Sequence, residues 1–242
     1  MQIVARISIF IFSFTAILVF IPFFSNALDQ PIGKGLAFII STPWTLSAFA
    51  DFFAGLSLSI PYMMALSNSP IEALLWTASM LCLGNPMIHL RLMIRVLTCE
   101  NPKEALFPSQ HTINERSFTR IIAMAYAGVI LIVYSASLIY ALAKESISDG
   151  YNAVVSEPWS LLLFVDVLCG VAFTGLYMSI KERNNIPVAL FLITILLVSG
   201  NAITSVYVLL CLSSRDNLKE SLLSTESAIF RHRQHVQLED SE

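Results

Sequence analysis

Six runs of about twenty mostly apolar residues, at 4–24, 44–66, 71–95, 119–143, 159–181 and 187–212, leave this chain few ways to fold. In lipid each backbone donor and acceptor must be satisfied within its own segment, which favours helices. None of the runs alternates in polarity as a barrel strand would. The runs therefore predict an all-α transmembrane protein. Composition agrees: 56% of the 242 residues are hydrophobic and 13% are charged, too little charge to cover a soluble domain. The net charge of −3 and the scattered bases exclude a nucleic-acid surface. Cys82, Cys99, Cys169 and Cys211 have no metal spacing, so neither a metal nor a cofactor is expected.

The chain repeats itself. At an offset of 115, residues 43–66 meet 158–181 with 8 identities, among them Trp44 with Trp159, Asp51 with Asp166, Gly55 with Gly170 and Tyr62 with Tyr177. With one inserted residue, Gly84-Asn85 meets Gly200-Asn201. This predicts a first three-helix repeat at 1–98, a polar connecting loop at 99–118, and a second repeat at 119–212. A hydrophilic tail, expected to be mobile, follows at 213–242. Three spans per unit would turn the second unit upside down. The expected fold is thus a six-helix bundle of two three-helix units in inverted-topology repeat, a plan transporters use. With both termini inside, six Lys/Arg fall on the inner side and eight on the outer, which decides no orientation. The first run has the look of a signal peptide, but it is long for one and has a counterpart at 119–143, so it is expected to be retained.

The pattern P-W-x6-D, a short polar turn and a helix carrying a Gly-polar pair resembles an uncharacterised plant-type family of multi-pass membrane proteins, a domain of unknown function. The likeness is clearest over 42–90 and returns over 157–207. It implies a fold and carries no activity.

Two carboxylates in lipid are the candidate site. Helical spacing lines up Asp51 with Gly55, Ser59 and Tyr62, and Asp166 with Gly170, Thr174 and Tyr177. Small and hydroxyl residues beside a carboxylate let a neighbouring helix come close and hide the charge from lipid. Counting through the short turns at Asn68 and Asn184 brings Asp51 level with Asn85 and Asp166 level with Asn201, predicting one polar pair within each hairpin. The pairs act either as register-fixing glue, the favoured reading, or as a proton- or ion-responsive path. Trp44 and Trp159 read as interfacial anchors, and Pro61 and Pro86 as kinks inside helices. His89, Arg91 and Arg95 either contact lipid head groups or snorkel to the interface. His232 and His235 in the tail lack further ligands.

No motif of a hydrolase, nucleotide-binding enzyme or metalloprotease is present, so no catalysis is expected. The leading expectation is a small-solute, proton or lipid-handling transporter or channel. A non-catalytic scaffold binding partners through helices and tail is the alternative. An intramembrane enzyme has only Asp51, Asp166 and His89 in its favour. The expected partners are the lipid bilayer and, because six helices leave little room for a path, a second copy in a homodimer.

Overall fold

The computed structural model describes residues 2–99, 101–108, 117–214 and 217–224. The described residues are helical throughout, with no strand. Their helices form two series: α1 (Gln2–Leu28), α2 (Ile32–Ser41), α3 (Pro43–Leu66), α4 (Pro70–Leu83), α5 (Pro86–Thr98) and α6 (Pro102–Leu106), then α7 (Ser117–Lys144), α8 (Ile147–Ser156), α9 (Pro158–Lys181), α10 (Ile186–Ser199), α11 (Ala202–Ser213) and α12 (Leu218–Leu223). Most of the tail, with His232 and His235, and residues 100 and 109–116 of the connection lie outside the described residues.

Four helices are long and apolar enough to cross a membrane: Ile3–Leu28, Pro43–Leu66, Thr119–Lys144 and Pro158–Lys181. Proline at the first turn starts α3, α4, α5, α9 and α10, where the missing N–H removes no bond. Side-chain caps add definition: Ser69, Ser146, Glu157 and Asn185 accept the free N–H groups of α4, α8, α9 and α10. α3 and α9 are mostly buried, whereas α1 and α7 leave rows of Ile, Leu and Val uncovered.

The remaining apolar runs are each broken into two shorter helices. Run 71–95 divides into α4 and α5 at Gly84-Asn85, and run 187–212 into α10 and α11 at Gly200-Asn201. The second half of each turns back. Along one straight helix Trp76 and Arg91 would stand about 22 Å apart, yet the Arg91 guanidinium lies 4.8 Å from the Trp76 ring centre and pairs with Glu72. Likewise the Tyr207 hydroxyl of α11 donates to Glu182 at the start of its own hairpin, at 2.5 Å. Pro86 is consequently the first residue of α5 and kinks nothing, while Pro61 sits inside an unbroken α3. The expected bundle of six uninterrupted helices is replaced by four long helices and two folded-back pairs.

This changes the relation between the halves. α1 runs antiparallel to α9: Ala16 meets Cys169, and the Gln30 carbonyl accepts from the Trp159 indole at 3.3 Å. α7 runs antiparallel to α3, from Tyr126 against Phe53 to Glu145 against Trp44. α3 and α9 point the same way. Trp44 rests on Gly150 of α8 and Trp159 on Gly35 of α2 at one end. At the other end Tyr62 stacks within 5.3 Å of Phe173 and 5.7 Å of Tyr177. The expected inversion required three crossings per unit. With α3 and α9 parallel, both units have the same orientation.

Candidate functional site

The site is built where the two folded-back pairs meet the central helices. Gly84 and Gly200 end α4 and α10 at φ 76° and 63°, a conformation that glycine alone adopts freely, so the chain can reverse there. The reversal leaves the first N–H groups of α5 and α11 without helical partners, deep in an apolar surrounding. A carboxylate meets each one. Asp166 accepts the Asn85 backbone N–H on Oδ1 at 2.8 Å and the Asn85 side-chain amide on Oδ2 at 2.9 Å. Asp51 accepts the Asn201 backbone N–H on Oδ1 at 2.7 Å.

The partners are therefore exchanged relative to the sequence expectation. Asp51 holds Asn201 and Asp166 holds Asn85, each across the halves. Counting through the turns paired each aspartate with the asparagine of its own hairpin, because it assumed that the helix after the turn runs straight on. Returning as α5 and α11, the Gly-Asn turns reach over to the opposite unit.

The surrounding stripe is buried on both helices. Gly55 leaves room for Asn201 and Gly170 for Asn85, since an added Cβ would stand 3.1 Å and 3.0 Å from those amides. The Ser59 hydroxyl donates to Asn85 Oδ1 at 3.3 Å. Thr204 lies 3.3 Å from the Thr174 hydroxyl and 3.2 Å from Asn201 Oδ1. Tyr62 and Tyr177 point away from the carboxylates and donate to Leu106 O and Leu222 O, each at 2.6 Å.

His89, Arg91 and Arg95 do not present themselves to a head group. His89 is fully buried, 3.0 Å from the Cys169 carbonyl and edge-on to Phe12. Arg91 is held by Glu72 and Trp76, and Arg95 donates to the Ala105 and Glu104 carbonyls at 2.7 and 2.8 Å. Lys181 does the equivalent service in the second half, donating to Ser221 O at 2.5 Å.

Two half-open clefts of about 250 and 260 Å³ reach the carboxylates. The first lies among α1, α2, α3, α4 and α9 and ends on Asp166 and Gly84. The second lies among α3, α7, α8 and α9 and ends on Asp51. Their walls correspond position by position: Trp159 and Trp44, Phe49 and Phe164, Ile39 and Val154. Sequence reasoning treated the tryptophans as anchors and missed that each closes a cleft. The signal was present, because Gly35 and Gly150, the residues they rest on, stand at the same offset of 115. Among the described residues no cluster of three or more metal-ligating side chains occurs.

A profile described as a protein of unknown function, DUF1475, matches residues 5–228. No curated protein matches the chain. No solved structure matches it either.

Proposed function

The chain belongs to the DUF1475 family, which has no assigned activity, and we propose that it is a non-catalytic multi-pass membrane protein that handles a small solute, as a transporter or channel does. In this reading α1, α3, α7 and α9 span the bilayer, and α4–α5 and α10–α11 are re-entrant hairpins entering from one face. The units are related by an axis along the membrane normal, a relation found in parallel-repeat transporters.

The observation that carries it is the meeting of two half-helix N-termini with Asp51 and Asp166 at the ends of matched clefts. Discontinuous helices with their ends turned toward a mid-depth site are how such proteins place polar groups in lipid. Charge supports the topology independently. Among the described residues, the tyrosine end of the bundle takes Arg6, Arg91, Arg95, Lys103, Arg120, Lys181, Arg183 and Lys219. The tryptophan end takes Lys34 and Lys144. Eight against two of the described basic residues is a positive-inside bias, directing the tyrosine end to the cytoplasmic side. All 14 basic residues of the chain, divided over six spans, gave six against eight.

The test is solute entry into vesicles containing the purified protein, followed by light scattering with a panel of small neutral and charged solutes. At least one should enter faster than into protein-free vesicles and be slowed by Ala48→Trp, which fills the second cleft. If no solute distinguishes the vesicles, solute handling is wrong, and the scaffold reading, supported by the cross-half caps, takes its place.

A further inference from the structure

The two clefts correspond in position, but their chemistry differs, and each difference favours the same ligand. Hydrogen bonding differs first. Asn85 occupies both oxygens of Asp166. Asn201 gives Asp51 its backbone N–H on Oδ1, while its side-chain amide sits against the same carboxylate without a well-formed hydrogen bond to either oxygen. Asp51 is 8% exposed and lines its cleft, so its carboxylate is less fully engaged than that of Asp166 and Oδ2 is open to a stronger partner.

The walls differ next. Where the first cleft has Phe20, Leu36 and Leu162, the second has Tyr134, Tyr151 and Ser47. Together with Trp44 and Phe164 these give electron-rich ring faces around the carboxylate. Cations are drawn to such faces, Trp and Tyr above all. The charges in and beside the covering helix differ last. Asp149 lies in α8 with Glu145, Glu157 and Lys144 beside it, whereas α2 contains Lys34 and follows Asp29.

We propose that the Asp51 cleft binds a small organic ammonium ion, its charge at Asp51 Oδ2 and its alkyl groups against Trp44, Tyr134 and Tyr151. A bare metal cation suits the site poorly, because hard cations need several oxygen ligands and the walls are mostly hydrocarbon. A cleft of about 260 Å³ is below the usual range for drug-sized ligands and fits a compact one. The proposal rests on the reading of the clefts as solute sites.

The experiment is equilibrium binding of radiolabelled choline to the purified full chain in lipid nanodiscs, with tetramethylammonium and the neutral isostere 3,3-dimethylbutan-1-ol as competitors. Binding should saturate and be displaced by tetramethylammonium, while the alcohol competes at least about tenfold less well, the scale expected of a buried charge contact. Asp51→Asn, whose amide oxygen still accepts the Asn201 N–H, should melt like wild type and bind at least about tenfold more weakly. Tyr151→Leu, which installs the residue of the other cleft, should weaken binding about threefold to tenfold. Leu36→Ala at the first cleft should leave it within about twofold. The site is wrong if wild type shows no saturable binding, if the alcohol competes equally, or if Asp51→Asn keeps wild-type affinity. Choline binding without flux of any solute keeps the site and removes the transport reading; flux without binding does the reverse.

Discussion

At the scale of single residues, a carboxylate serves here as a cap supplied by a different part of the chain. A free helix N-terminus in lipid has no water to satisfy it, and an aspartate answers both the unpaired N–H and the positive end of the helix dipole. Asp51→Leu and Asp166→Leu would orphan these groups, a loss of about 1–3 kcal/mol each. Asparagine should behave differently at the two sites. At 51 the amide oxygen can replace Oδ1, and stability should stay near wild type. At 166 both oxygens accept from Asn85, so the new NH₂ must face a donor. Asp166→Asn should therefore fall between wild type and the leucine variants. Thermal unfolding in detergent ranks the four variants, and equal melting of Asp51→Leu and wild type would refute the capping role.

At the scale of the element, the unit that matters is the re-entrant hairpin, whose turn depends on glycine. Gly84 and Gly200 combine positive φ with ψ near −160° and −148°, a region almost restricted to glycine. Space is as tight as conformation: a Cβ on Gly84 would stand 2.0 Å from Asp166 Oδ1, and one on Gly200 2.6 Å from Asp51 Oδ2. Gly84→Ala and Gly200→Ala should each lose about 1–3 kcal/mol from the backbone alone. The first should lose more, since it also displaces the better-bonded cap. Gly33, in α2, meets nothing within 4 Å, and Gly33→Ala should be neutral or stabilising by up to about 1 kcal/mol. Unfolding midpoints of the three variants, measured together, check the order.

At the scale of the whole molecule, the proposed topology, with an even number of crossings per unit, places the connections. Cysteines introduced one at a time into a Cys-free background should label from one side at the N-terminus, in 99–116 and beyond residue 224. Those in α2 and α8 should label from the opposite side. A bundle of six crossings gives another pattern, with 99–116 beside α2 and the tail opposite. Finding 99–116 and α2 accessible from one face would therefore restore inversion and remove the re-entrant hairpins. α1 and α7 show rows of apolar side chains such as Ile3, Ile7, Ile121 and Ile132 that only lipid or another chain can cover.

What the sequence determined was local or periodic. Apolar length fixed helices and a lipid setting, because hydrogen bonds have to close within each segment there. Spacing along α3 and α9 fixed which faces are polar, and all of Asp51, Ser59, Tyr62, Asp166, Thr174 and Tyr177 are buried as that periodicity requires. The offset of 115 fixed what corresponds to what, down to Gly35 and Gly150 under the tryptophans. Only the tertiary structure decided whether runs 71–95 and 187–212 run straight or turn back. Apolar residues on both sides of Gly84-Asn85 satisfy lipid equally in either case, so hydropathy carries no information on the direction taken after the glycine. That direction is set by the opposite half, whose aspartate caps the helix emerging from the turn. With it went the partners of Asp51 and Asp166, the orientation of the second unit, and the clefts: contacts between segments over 80 residues apart, which no local pattern encodes.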